Sequence, residues 1–310
     1  MDAGGVAINA GGVLIDAGGV TYITQERRES MNAEERRMTE RIHRFTHHDL
    51  SGAVLRILDD KAHSLNELLD DEYQLRTDRS VPFSYTCCYV HHRGRHVMVD
   101  AGIDGDEVAA TLRELDVTPD DIDLVLITHV DRDHVAGLIL QMGDGVLAYP
   151  NARYAIDAGL WAELQKDETY DGLPKHLQRL FRTLVERVAD RIILCPGEGP
   201  LAGEYNGITF IPCPGHRPGH GAYEFAASEE DGAEAEPFIH VGDAFLNPFF
   251  VEHPDWPVTG DSLPDQAVES RKRLIDRLNA SSALVLATHF PFPGLGQVLA
   301  DGDSAEWIGL

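Results

Sequence analysis

Between Thr128 and His134 the chain reads Thr-His-Val-Asp-Arg-Asp-His, which crowds two imidazoles (His129, His134) and two carboxylates (Asp131, Asp133) into one short stretch. Imidazole nitrogens and carboxylate oxygens are the donors that borderline divalent cations take. A lone histidine in a loop is usually a satisfied or exposed polar residue, whereas four ligand-type groups at this spacing point to a metal site. The apolar run 124–127 before them reads as a short buried strand and the run 135–140 after them as the start of a helix, so the cluster falls in the turn between. Three later apolar runs end in the same way. Residues 208–213 lead into a Gly- and Pro-rich loop carrying His216 and His220, residues 238–242 deliver Asp243, and residues 283–287 deliver Thr288 and His289.

This ordered set resembles the metallo-β-lactamase superfamily, whose His-x-His-x-Asp-His motif is followed by a distant His, an Asp and a last His. The resemblance implies one metal held by His129, Asp131 and His216, a second held by Asp133, His134 and His289, and Asp243 bridging both. It also implies that Asp100, in the Asp-x-Gly turn of residues 98–102, supports the ligands without binding metal. His220 is read in the same supporting role, through a hydrogen bond. The tail His-Phe-Pro-Phe-Pro-Gly-Leu-Gly from His289, together with the double-histidine loop, is similar to the branch containing methyl parathion hydrolase and related lactonases. One position departs from the pattern, because the motif's second His is Asp131 here.

That departure bears on the metals. If Asp131, Asp133 and Asp243 are all ionised, three ligand charges oppose the four of two divalent cations, which makes weaker Lewis acids than the usual motif and favours harder ions at the first position. The expected cofactor is a pair of divalent ions, zinc with manganese or iron as alternatives. Such a pair implies a hydrolase in which a metal-bridging hydroxide attacks a small ester, lactone or organophosphate. Asp133 and Asp243 are the candidate catalytic carboxylates. Phe245, Phe249, Phe250 and Trp256 are the candidate substrate wall, although packing in the core is the commoner fate of aromatics. No Gly-x-Ser-x-Gly elbow and no cysteine-hydrolase context is present. Two alternatives stand beside this reading. A flavodiiron-like redox protein carries an acidic residue at the position of Asp131, but also a flavin domain for which this chain has no room; the other is a metal-binding protein without catalysis.

The elements that must position these residues are legible as periodicity. Strand-like runs fall near 84–90, 95–99, 124–127, 153–156, 191–194, 208–212, 222–226, 237–241 and 283–287, and helical patterns near 105–115, 158–167, 176–189 and 264–279. In the last of these, Asp261 or Ser262 is a candidate cap, Val268, Leu274, Ile275 and Leu278 form an apolar face, and residues 271–273 read as a solvated basic run. A chain of 310 residues, 43% hydrophobic, can bury one large core. The resemblance implies an α/β fold, a four-layer αββα sandwich, over residues 50–310.

Composition narrows the partners. A net charge of −26, with only four lysines among the 26 basic residues, repels phosphate polymers and anionic membranes. A small-molecule substrate, no nucleic acid, no membrane and a homodimer are the expectations. The same charge suggests a salt-adapted cytoplasmic protein. The four cysteines suggest no disulfide framework, and Cys87 and Cys88, adjacent on a strand, should face opposite ways. At the N-terminus, residues 2–8, 9–15 and 16–22 are near-copies built on Ala-Gly-Gly-Val, too rich in glycine for a stable helix. Residues 1–24 are expected to form a flexible or weakly β-forming extension. Residues 25–49, including His43, His47 and His48, are expected to form an exposed charged helix. Neither a secretory signal nor a membrane-length apolar run is seen.

Overall fold

Strands buried on both faces read as unbroken apolar runs, and most of the runs above belong to two seven-stranded sheets stacked face to face. The computed structural model describes the backbone of residues 7–8, 13–15 and 21–23, and residues 41–140, 145–227, 235–302 and 304–310. In the first sheet β1 (Ile42–His47), β2 (Leu50–Ser64), β3 (Ser80–His92), β4 (Arg95–Val99), β5 (Leu124–Leu126), β6 (Arg153–Asp157) and β7 (Ile192–Cys195) lie side by side in chain order. The second sheet holds β8 (Gly199–Pro200), β9 (Ile208–Pro212), β10 (Gly221–Phe225), β11 (Phe238–His240), β12 (Leu284–Leu286), β13 (Leu295–Asp301) and β14 (Ser304–Gly309), again in order. The longer helices that flank the sheets are α2 (Gly105–Arg113), α4 (Ala158–Leu164), α5 (Lys175–Val188) and α7 (Pro264–Ala280); α1 (Leu65–Leu68), α3 (Arg132–Val135) and α6 (Phe249–Glu252) are single turns.

Strands β4 to β7 run parallel, as do β11 and β12, and parallel neighbours need crossovers, which the helices supply. Side-chain alternation then sorts the apolar residues into three cores. Val97 and Val99 of β4 face the second sheet with Leu284 and Leu286 of β12, while Met98 turns outward into the core that holds Val108 and Leu112 of α2. On the far side Val285 meets Leu274, Ile275 and Leu278 of α7. Helices, sheet, sheet and helices make the expected αββα sandwich. Each fully buried Leu or Phe in these layers contributes roughly 1.5–3 kcal/mol. Cys87 and Cys88 lie in different cores, as strand alternation requires, and all four cysteines are buried and free.

The N-terminal part differs from expectation where it is described. Residues 42–47, expected within an exposed helix, form β1 on the edge of the first sheet: Phe45 is buried against Phe238 while Arg44 and Thr46 face outward. Strand alternation outweighs the local charge: Phe45 and His47, two residues apart, share one face, with Phe45 packed between the sheets, while Ile42 lies on the other face in the core that holds α2. Residues 25–40, the rest of that helix, lie outside the described residues. Of the extension, Ala7–Ile8, Val13–Ile15 and Thr21–Ile23 pair antiparallel in a small sheet of their own; the expectation of flexibility falls on residues outside the description. Among the described residues no helix is long and apolar enough to cross a membrane.

Candidate metal centre

Every candidate ligand lies just beyond the C-terminal end of a strand, the edge at which parallel sheets gather their functional groups. Asp100 follows β4, residues 128–134 follow β5, His216 and His220 lie between β9 and β10, Asp243 follows β11 and His289 follows β12. Gly242 makes the last turn but one possible. Its φ is +54°, and a Cβ there would meet His220 Nε2 at 2.7 Å and Thr128 Cβ at 3.1 Å, so only glycine lets the chain swing Asp243 into the centre.

The side chains converge as two clusters, His129, His216 and Asp243 on one side and Asp133, His134 and His289 on the other, with ligand atoms within 4.8 Å of one another in each. Asp243 Oδ2 faces both. It lies 3.7 Å from His129 Nε2 and 3.6 Å from His216 Nε2, and 3.3 Å from His134 Nε2 and 3.0 Å from His289 Nε2. His129 Nε2, His134 Nε2, His216 Nε2 and Asp243 Oδ1 are buried with no hydrogen-bond partner. Four orphaned polar atoms at one point would be costly in a protein that bound nothing there. A mixed nitrogen and carboxylate donor set suits zinc and neighbouring divalent ions. The two clusters are a dinuclear divalent-metal site.

The surrounding residues orient the imidazoles. Asp100, 1% exposed, accepts from Thr128 N at 2.9 Å, Thr128 Oγ1 at 2.8 Å and His134 Nδ1 at 2.7 Å. His289 Nδ1 donates to Ser84 O at 2.8 Å, and His216 Nδ1 to Asp261 Oδ1 at 3.2 Å. His129 Nδ1 pairs with Thr128 Oγ1 at 3.0 Å. With each Nδ1 so engaged, the Nε2 atoms are presented to the centre. His220 spends both nitrogens elsewhere: Nε2 accepts from Asp243 N at 3.0 Å and Nδ1 donates to Cys213 O at 3.1 Å. Burial and the imidazoles of His129 and His216 hold its pKa well below the ordinary value, so it stays neutral. Burial alone would raise the Asp243 pKa, but His134 and His289 carry it well below the usual carboxylate range.

Asp131 sits differently from the other motif residues. Its Oδ2 is 3.4 Å from His216 Nε2 and 3.7 Å from His129 Nε2, yet it belongs to neither cluster. Both its oxygens accept from Arg217, Oδ1 from Nε at 2.7 Å and Oδ2 from Nη2 at 2.6 Å.

Of the aromatics singled out in the sequence, Phe245, Phe249 and Phe250 are buried in the outer core of the second sheet, and Trp256 alone is partly open. No sequence signal pointed to Phe83 and Tyr85, which β3 lays against the site. Phe83 stacks on His289 at 4.1 Å and Tyr85 meets its edge at 5.5 Å. Desolvation and then the charges of Asp133 and Asp243 raise the Tyr85 pKa. Asp261 was also missed as a partner of His216. It caps nothing, since α7 starts after Leu263 without a side-chain cap; instead it is clamped by Arg271 at 3.0 Å. Arg271 is therefore no part of a solvated basic run. It is 1% exposed and also donates to Pro254 O and Trp256 O.

A family model described as the metallo-beta-lactamase superfamily matches residues 81–289. The chain belongs to that superfamily. Among solved structures, the hydrolase AbOPH of the beta lactamase superfamily superposes with a TM-score of 0.70 at 23% identity, covering 87% of this chain and 97% of that one. AidC, described as a dizinc quorum-quenching lactonase in complex with a product, gives a TM-score of 0.70 at 18% identity with the same coverage. Likeness at this identity speaks to the fold. Exodeoxyribonuclease WalJ of Streptococcus pneumoniae strain D39 is 27% identical over 99 residues, 31% of this chain, and the match spans only 35% of the relative's length. Against the metallo-β-lactamase pattern, Asp131 remains the one substituted motif position.

Proposed function

We propose that the protein is a metal-dependent hydrolase of small esters or lactones, with organophosphates as further substrates. The observation that carries this reading is the pair of His/Asp clusters sharing Asp243, with four ligand atoms buried and unpartnered. His129, His216 and Asp243 would hold one ion and Asp133, His134 and His289 the other, bound ions supplying acidified water and charge neutralisation for an oxyanion. Asp133, its side chain a quarter exposed, lies on the open side and is placed to accept and return a proton. Asp243, almost fully buried, holds the two halves together. Phe83 and Tyr85 form the wall beside His289, and Trp256 is the one other candidate left open enough to join it. An aromatic wall suits an acyl or aryl group better than a highly charged substrate.

The solved structures named above include a lactonase with its homoserine product, which favours lactones as the first class to assay. The net charge of −26 weighs against a nucleic-acid polymer, despite the short likeness to an exodeoxyribonuclease. The same charge, with four free buried cysteines, suits a reducing, cytoplasmic setting. The flavodiiron-like alternative leans on an acidic ligand at Asp131, a carboxylate that Arg217 occupies.

Protein loaded with zinc, manganese or iron should hydrolyse p-nitrophenyl esters or acyl-homoserine lactones. Activity should vanish with a chelator, return with metal, and be abolished in Asp243→Asn and His134→Ala. Absence of turnover on esters, lactones and phosphotriesters in every metal form would refute the hydrolase reading.

A further inference from the structure

We infer that Arg217 holds Asp131 off the first metal position, so that this position keeps only His129, His216 and the shared Asp243 and binds its ion more weakly than the second. The inference rests on the dinuclear reading of the site. A carboxylate on a short stem reaches less far than an imidazole Nε2, so at the motif's second-His position an aspartate needs help to approach an ion. Arg217 pulls the other way. Its fork meets both oxygens of Asp131 at 2.7 and 2.6 Å, the bidentate geometry in which guanidinium binds carboxylate best. The guanidinium is itself fixed, since Nη1 donates to His216 O, Gly260 O and Ser262 Oγ. Releasing Asp131 would leave an anchored arginine without its counter-charge.

The remaining ligands keep their aim. His129 Nε2 and His216 Nε2 stay orphaned and directed at the centre although Asp131 stands nearby. Asp133, two residues on, does join its cluster. The two positions therefore differ in charge: the second has a carboxylate of its own plus a share of Asp243, while the first has only that share, because Arg217 cancels Asp131. This reverses the expectation drawn from the sequence that Asp131 makes the first position oxygen-rich. A nitrogen-dominated position favours zinc over manganese.

The test is metal affinity of the full-length apo-protein, read by competition with a chromophoric chelator for zinc and manganese. Wild type should show two zinc affinities at least about tenfold apart, and Arg217→Gln, which frees the carboxylate, should tighten the weaker one by about tenfold or more and raise manganese uptake. The double variant Asp131→Asn with Arg217→Gln removes together two opposite charges that give the first position neither a ligand nor a net charge, and should stay within about fivefold of wild type. Arg217→Lys, which keeps the charge but loses the fork, should fall between wild type and Arg217→Gln and serves if the latter does not fold. A double variant weaker by more than about tenfold, or Arg217 variants with unchanged or weaker zinc binding, would show Asp131 already acting as a ligand and overturn the inference. Wild type that binds no zinc at all would instead remove the dinuclear reading itself, and this inference with it.

Discussion

Asp261 shows how a residue far from the motif can set a ligand's chemistry. Its carboxylate, 2% exposed, links His216 on one side to Arg271 on the other, so a buried ion pair orients the imidazole. Burial lowers the His216 pKa, but the carboxylates of Asp131 and Asp261 beside the ring outweigh it and bring the group to about 9. Asp261→Asn would keep an acceptor for His216 and lose the charge, leaving Arg271 buried without a counter-ion. Breaking a buried pair in this way costs about 3–5 kcal/mol, and loss of the carboxylate behind a ligating histidine weakens metal binding about 10–100-fold. Urea unfolding of the apo-protein and zinc competition on the same variant should show both losses. Arg271→Met should show the first with much less of the second, because Asp261 still faces His216.

At the scale of elements, the sequence made legible what depends on short-range order. Buried strands such as β4, β5, β11 and β12 appear as apolar runs because both faces are covered, and the ligands appear at their ends because the chain turns there. What it concealed was pairing. β1 and the solvent-facing half of β2, with Asp59, Asp60 and Lys61 exposed, carry too few apolar residues to announce a strand, and the β13–β14 hairpin leaves Leu299 and Ile308 exposed. Only the placement of β3 beside the β12 turn, where Ser84 N donates to His289 O at 3.3 Å, brings Phe83 and Tyr85 to the site. Sequence-adjacent aromatics fared differently, since the turn after β11 feeds Phe245 and Phe250 into the core under α7. Phe250→Ala should therefore destabilise the fold by about 3–5 kcal/mol in urea unfolding, with KM unchanged in the folded fraction. Tyr85→Phe should leave the midpoint within about 0.5 kcal/mol of wild type and change kcat or KM.

For the whole molecule, two electrostatic consequences follow, one from buried groups and one from the surface. Desolvation lowers the pKa of His240 to about 4, and lowers His92 and His47 from the same 6.5. Between those values the unfolded chain binds protons that these three native imidazoles refuse, so the stability they contribute is complete above about pH 6.5 and is lost as pH falls toward their folded values. Asp100 and Asp243, held low, stay ionised across that window. His240 alone accounts for a loss of the order of 3 kcal/mol by about pH 4, and His240→Gln should flatten the slope of urea midpoints taken between about pH 7.5 and 4.5. Salt acts on the surface in two opposed ways. It screens pairs such as Arg277 with Glu198 and Arg182 with Asp167, which weakens the fold, and it screens repulsion among the acids, which strengthens it. With 52 acidic against 26 basic residues, half the acids would lack a partner even if every base were paired, so repulsion is the larger of the two. The buried Asp261–Arg271 pair is beyond the reach of the salt. The melting temperature should therefore rise from about 0.1 to 1 M KCl, as the Debye length contracts from about 10 to 3 Å, and rise equally in NaCl, because screening does not distinguish the two cations. A melting point that stays level or falls would mean that the acids are spaced widely enough, or compensated well enough by the arginines, for the excess charge to carry no cost to folding.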